Sequence, residues 1–165
     1  MRWMVLALVS AMWASVAVGQ EEQLAEFLAV IPRMSGGVAV VDFVDPAPQP
    51  EFGKPKEGNK LIAVQLVFLT FPEVTTSVKV NPMFAELKCS DMAIRNSAMG
   101  GAPDPALASA EMKEPEDRLM GWVAFEIPVD LNASECKLNY GVMDKSRWIR
   151  LAAAEKKQSP TEAPK

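Results

Sequence analysis

The segment from Leu61 to Phe71 constrains the fold more than any other part of this chain. Ile62, Val64, Leu66 and Phe68 occupy one parity, and Leu61, Ala63, Val67 and Leu69 occupy most of the other, with Gln65 among them. A strand that is apolar on both parities has to be covered on both faces, so the segment predicts a central strand rather than an edge. Such a strand needs neighbours on either side and a second layer packed against it.

Several weaker segments supply the neighbours. Met120 to Ile127 places Gly121, Val123, Phe125 and Ile127 on one side before Pro128 ends the run. Val38 to Val44 alternates, which predicts a strand with Ala39, Val41 and Phe43 on one face and Asp42 on the other. Ala85, Leu87 and Cys89 alternate with Glu86 and Lys88, and Cys136, Leu138 and Tyr140 alternate with Lys137 and Asn139. Val74 to Val80 reads as an irregular edge strand before the Asn81-Pro82 turn, and Trp148 to Leu151 as a last short strand.

Residues 45 to 60 are rich in proline, glycine and charge; each proline removes a ladder donor, so a long surface loop is expected there. Residues 91 to 118 have no clean period, with room for one helical turn from Leu107 to Met112. Roughly six or seven short strands with little helix predict an all-β fold, an immunoglobulin-like β-sandwich.

The N-terminus sets the compartment. Met1-Arg2, an apolar run from Trp3 to Trp13 and small residues up to Ala17-Val18-Gly19 are the three parts of a cleavable secretory signal. The run is broken by Ser10 and is short for a spanning helix, which needs about 20 apolar residues; an uncleaved N-terminal anchor is the alternative. The expected organisation is a signal peptide over 1–19, an N-terminal arm or short helix over 20–35, a β-sandwich domain over 36–152 and a disordered tail over 153–165. A secreted or periplasmic location follows from the signal.

Cys89 and Cys136 fall on the apolar parity of their strands. In an oxidising compartment an even count reads most simply as one disulfide, and a loop of roughly 48 residues gives about 4 kcal/mol in the chain-entropy model. Two buried free thiols are the other reading.

The segment Pro115-Glu116-Asp117-Arg118-Leu119-Met120-Gly121-Trp122-Val123-Ala124-Phe125-Glu126-Ile127-Pro128 resembles the late strand of a family of secreted bacterial immunoglobulin-like domains. In that family a turn, a glycine and an apolar-x-Phe-Glu-apolar-Pro ending follow one another. The family includes the mycobacterial immunoprotective extracellular antigens and many members named telomeric repeat-binding factor 2-like. The resemblance covers about residues 36 to 151. Glu116 stands where the family's turn has glycine, and Phe71-Pro72-Glu73 replaces its polar turn after the central strand. The resemblance implies an extracytoplasmic sandwich suspected of binding, and it brings no catalytic residues.

The chain has no histidine, which removes the Ser-His-Asp triad, the Cys-His pair and histidine-bearing metal sites. Neither a phosphate-cradling P-loop nor a GxGxxG is present. A formal net charge of −4 with interspersed signs argues against a nucleic-acid partner. The acidic loop at 111–117, with Glu111, Glu114, Glu116 and Asp117, offers carboxylates to a hard cation, but a solvated loop is the default reading, as it is for Asp42 and Asp45. Met83, Met92, Met99, Met112 and Met120 are irregularly spaced and read as packing rather than a copper site. Trp122 lies opposite the Val123/Phe125 parity, where it either contacts a partner or is buried by the arm or the long loops.

These residues point to a non-enzymatic binding or interaction module with no cofactor. Its partner would be an unknown protein or envelope ligand, and no membrane span is expected after signal cleavage. Extracytoplasmic handling of calcium, copper or a small ligand is the alternative. The mature chain is predicted to begin at Gln20 or Val18; N-terminal sequencing checks this, and a membrane-held chain that still begins at Met1 contradicts it.

Overall fold

The computed structural model describes residues 29–48, 54–96, 101–141, 143 and 147–152. The expected signal peptide, the C-terminal tail, Met99 and residues 20–28 of the expected arm lie outside the described residues. In chain order the strands are β1 (Ala29–Val30), β2 (Gly36–Val44), β3 (Asn59–Thr70), β4 (Val78–Val80) and β5 (Ala85–Cys89). They continue with β6 (Met92–Arg95), β7 (Ala110–Met112), β8 (Arg118–Pro128), β9 (Lys137–Tyr140) and β10 (Ile149–Arg150). Two single 3-10 turns, Pro82–Phe84 and Ala133–Glu135, are capped by Asn81 and Asn132.

The fold is an all-β sandwich. One four-stranded sheet runs β1-β2-β3-β8, the other β10-β9-β5-β6, and β4 and β7 form a separate pair. Every pairing between the named strands is antiparallel. β3 sits between β2 and β8, the central place that its double apolar pattern requires. Ile62, Val64, Leu66 and Phe68 enter the main core with Val123, Phe125 and Ile127 of β8 and Leu87, Leu138 and Tyr140 of the second sheet. On the opposite face, Val67 packs with Ala39 and Val41, while Leu61 and Ala63 pack with Ala47 and Trp122.

Four expectations change. First, the described residues contain ten strands rather than six or seven, because the irregular stretches contribute pairs of two to four residues. Second, the parity of β2 is not uniform. Its register against β3 shifts between Val40 and Asp42, leaving Val41 as an extra residue. A bulge reverses the alternation, so Val38, Val40 and Phe43 face the main core while Ala39 and Val41 face away. Third, Leu107 to Met112 forms no helical turn; Ala110–Met112 pairs with Val78–Val80, and Leu107 and Met112 insert into the core. Fourth, the described end of the expected arm or short helix is extended: Ala29 and Val30 pair with Val38 and Gly37, and Ile31 is buried in the main core.

Two polar anchors tie the loops to the sheets. Ser35 is buried, and its Oγ accepts hydrogen bonds from the backbone of Thr75 at 3.0 Å and Thr76 at 2.9 Å. Asp45 is paired rather than solvated: Lys60 Nζ stands 2.8 Å from its Oδ1, and the backbone N–H of Ala133 donates to its Oδ2 at 3.1 Å. The start of the proline-rich loop is thereby fixed to β3 and to the second 3-10 turn.

Tyr140 closes the junction between the two layers. Its ring meets Phe68 edge-on with centroids 4.8 Å apart, and its hydroxyl accepts from the backbone N–H of Asn81 at 2.8 Å. Burial pushes its phenol up to about 12.

Cys89 and Cys136, 47 positions apart in sequence, form a disulfide with Cα atoms 4.3 Å apart. Both are buried in the main core. The bridge continues the β5–β9 ladder one step beyond the Lys88–Lys137 pair, so it joins neighbours in one sheet. The B–F bridge of antibody domains spans two sheets instead. Replacing both cysteines with alanine is predicted to cost about 2 to 5 kcal/mol in denaturant unfolding, because the open chain regains loop entropy. An unchanged unfolding midpoint after reduction and alkylation would contradict this.

Candidate functional site

The site with the most built geometry lies at the free edge of β8. Trp122 points its backbone away from β3: its N–H donates to Pro105 O at 3.0 Å, and its C=O accepts from Leu107 N at 2.8 Å. The segment Pro105–Leu107 is therefore a short parallel addition to the sheet, bridging at Ala106 and Trp122. Gly121 makes this approach possible. A Cβ there would stand 2.6 Å from Leu107 Cα and 2.8 Å from its nitrogen, closer than a side chain tolerates.

A cleft of about 310 Å³ opens beside this contact, lined by Asn81, Met83, Asn96, Leu107, Trp122 and Ala124 among others. Its walls come from the first 3-10 turn, the end of β6 and the segment before β7. Met83 and Phe84 of the 3-10 turn are 53% and 46% exposed, which leaves an apolar rim in water. Ala124 and Glu126 share the parity of Trp122, so their main-chain N–H and C=O groups also point away from β3. Among the described residues these groups meet no backbone partner, although Ala124 is only 1% exposed and Glu126 is half-buried.

Below the cleft the end of β8 is clamped. Glu126 accepts from the Asn59 side chain at 2.7 Å and from the Lys56 backbone at 2.9 Å, and these bonds hold its carboxyl below the usual range.

Trp122 is half-buried. Ala47 of the proline-rich loop and Leu61 and Ala63 of β3 pack on its side of the sheet, so a long loop supplies part of its cover. The acidic loop diverges instead of converging. Glu111 accepts from Ser77 Oγ at 2.7 Å and pairs with Lys113 at 3.0 Å, and these contacts lower its pKa. Glu114 and Asp117 are tied through their backbones to Thr70. Among the described residues no group of three or more histidine, cysteine, aspartate or glutamate side chains could hold a metal ion. Met83, Met92 and Met120 are exposed at separate places and Met112 is in the core.

The sequence marks Asn81 only as a turn residue and Met83 only as packing, and nothing in it sets Ala124 apart. The unpaired groups of the buried Ala124 belong to the backbone, which side-chain type does not report. The signal that was available is Gly121, a glycine inside a confident strand, which marks a close backbone approach.

No helix among the described residues is long and apolar enough to cross a membrane. No family model matches the chain, and no curated protein matches it. Among solved structures, a protein of Bacillus subtilis subsp. subtilis str. 168 provisionally described as a lipoprotein (YcdA) is similar over 74% of this chain, at 16% identity and a TM-score of 0.49. The chain spans 40% of the length of that neighbour.

Gly121→Ala is predicted to destabilise the protein by about 1 to 3 kcal/mol, the usual cost of overpacking. Amide exchange of Leu107 and Trp122 should accelerate together, because one displaced segment carries both bonds. A variant that melts like the parent, with both amides still protected, would contradict the close approach.

Proposed function

We propose that this chain is an exported, non-enzymatic binding module that holds a short extended segment of a partner protein in the cleft at the β8 edge. The observation that carries the reading is the edge itself. Pro105–Leu107 already adds to β8 as a parallel segment, and beyond it the outward main-chain groups of the buried Ala124 and half-buried Glu126 lack a backbone partner among the described residues beside an apolar-rimmed cleft, so a guest segment reaches them by opening that cleft. An added strand gains affinity from main-chain hydrogen bonds and selectivity from side-chain pockets. Trp122, Met83 and Phe84 are suited to the second role. The disulfide and the signal-like N-terminus support work outside the cytoplasm, where the bond is stable. The resemblance of the β8 segment to secreted bacterial immunoglobulin-like domains supports the same location and a binding role. A chain without histidine leaves the commonest acid–base and nucleophile-activating partner out of reach, which favours binding over turnover.

The test is a displayed library of random heptapeptides selected on the whole chain. Enriched peptides should slow the exchange of the Ala124 and Glu126 amides. They should also lose about thirtyfold in affinity on Trp122→Ala, the scale of an interface hot spot near 2 kcal/mol. Peptides that bind Trp122→Ala as tightly as the parent, or that leave both amides unprotected, would place the binding elsewhere.

A further inference from the structure

The outer face of the second sheet carries a row of three cations. Lys88 of β5 is directly opposite Lys137 of β9, and Lys137 is directly opposite Arg150 of β10. Directly paired side chains leave the sheet on the same face with Cβ atoms about 5 Å apart, where like charges repel. Leu87, Cys89, Cys136 and Leu138, the chain neighbours of the two lysines, are buried, so the row points to solvent. Lys88 and Lys137 are half-buried and Arg150 is exposed.

Among the described residues none of the three cations is in an ion pair, although the Glu135 carboxylate shares the cleft beside them and Glu86 shares their face. The ion pairs among the described residues are Lys60 with Asp45 and Lys113 with Glu111, both elsewhere on the molecule. Such a row runs against the character of a chain whose net charge is −4. The fold also holds it together. Each disulfide cysteine adjoins one of the lysines, in Lys88-Cys89 and Cys136-Lys137, so the bridge fixes two repelling ammonium groups at ladder spacing. Preorganised charge of this kind favours a ligand that brings the opposite sign.

The row borders a cleft of about 340 Å³ lined by Lys88, Ser90, Glu135, Lys137 and Trp148. The indole of Trp148 is fixed by a hydrogen bond from Nε1 to Met143 O at 2.9 Å, and Lys88 Nζ lies over its ring 5.3 Å from the centroid, so an ammonium covers that face of the indole. Each lining group selects for something. The cations take a carboxylate or sulfate. The electron-rich indole takes the polarised C–H groups on the face of a sugar ring. Ser90 and the Glu135 carboxylate take hydroxyls. We infer that this face binds an acidic oligosaccharide, with its acid groups on the Lys88–Lys137–Arg150 row, Lys88 swinging off the indole to an acid group and a sugar ring taking its place against Trp148. The site is separate from the β8 cleft and does not rest on peptide binding there.

Calorimetric titration of the whole chain tests the assignment with an oligogalacturonate, a glucuronate-containing oligosaccharide and a sulfated oligosaccharide. A neutral oligosaccharide of equal length and inorganic sulfate are the controls. At least one acidic sugar should bind, with both controls at least tenfold weaker. Lys137→Gln combined with Arg150→Gln should weaken that binding at least tenfold. The same pair should leave the melting temperature unchanged or higher, since it removes like-charge neighbours. Trp122→Ala should leave the sugar affinity unchanged, which separates this site from the peptide cleft. Failure of all three acidic sugars overturns the proposal, as does unchanged binding by the double variant. Sulfate that binds as tightly as the sugar reduces the face to a simple anion site and overturns it too.

Discussion

β3 has no face of its own that can meet water, and the arrangement of the other elements follows from covering it twice. Its twelve residues place Ile62, Val64, Leu66 and Phe68 against the second sheet and Leu61, Ala63 and Val67 on the opposite side. Fully burying a side chain of this size contributes about 1.5 to 3 kcal/mol, so no other strand carries as much of the driving force. One face is covered by the second sheet with β5 and β9 at its centre. The other has no sheet over it and is closed in patches, by Ala39 and Val41 from the neighbouring strand and by Ala47 and Trp122 near the proline-rich loop. That division explains why one irregular loop contributes a buried alanine, 5% exposed, although its composition is that of a surface segment.

The second sheet is small and needs other support. β9 and β10 contain four and two residues, too few to hold a layer by ladder bonds alone. The Cys89–Cys136 bridge joins the two strands that carry its buried leucines, and Tyr140 pins the far end to the segment around Asn81. These two devices sit at opposite ends of β9, so the strand is fixed at both.

What could be read in the sequence depended on whether a single parity decided the outcome. β3 and β8 follow their alternation without interruption, and both faces were legible from side-chain type. The cysteines were legible for the same reason, each lying on an apolar parity with a charged neighbour. β2 defeated that logic because an inserted residue at Val41 reverses the faces of Phe43 and its neighbours, and a bulge leaves no mark in a Val-rich run. Leu107 to Met112 has apolar residues at both strand and helix spacings; the choice was made by the partner strand Val78–Val80, which sequence spacing does not encode. The candidate site was half legible. Trp122 and Gly121 are visible in the sequence, whereas the cleft depends on main-chain groups and on where Pro105 returns. The cationic row is invisible for a related reason: Lys88, Lys137 and Arg150 come together only through strand register.

The close approach of Pro105–Leu107 to Gly121 has a consequence for self-association. An eleven-residue strand with an open edge is a template on which a second copy of the same chain could add, and the addition could repeat. The plug at Trp122 interrupts that template near its middle, and the proline ring at 105 supplies no N–H to extend the plug itself. The outward-facing groups on either side form runs shorter than β8 itself, and at Ala124 they are buried. The glycine that lets the plug approach thereby shortens the run of edge on which a second copy could pair.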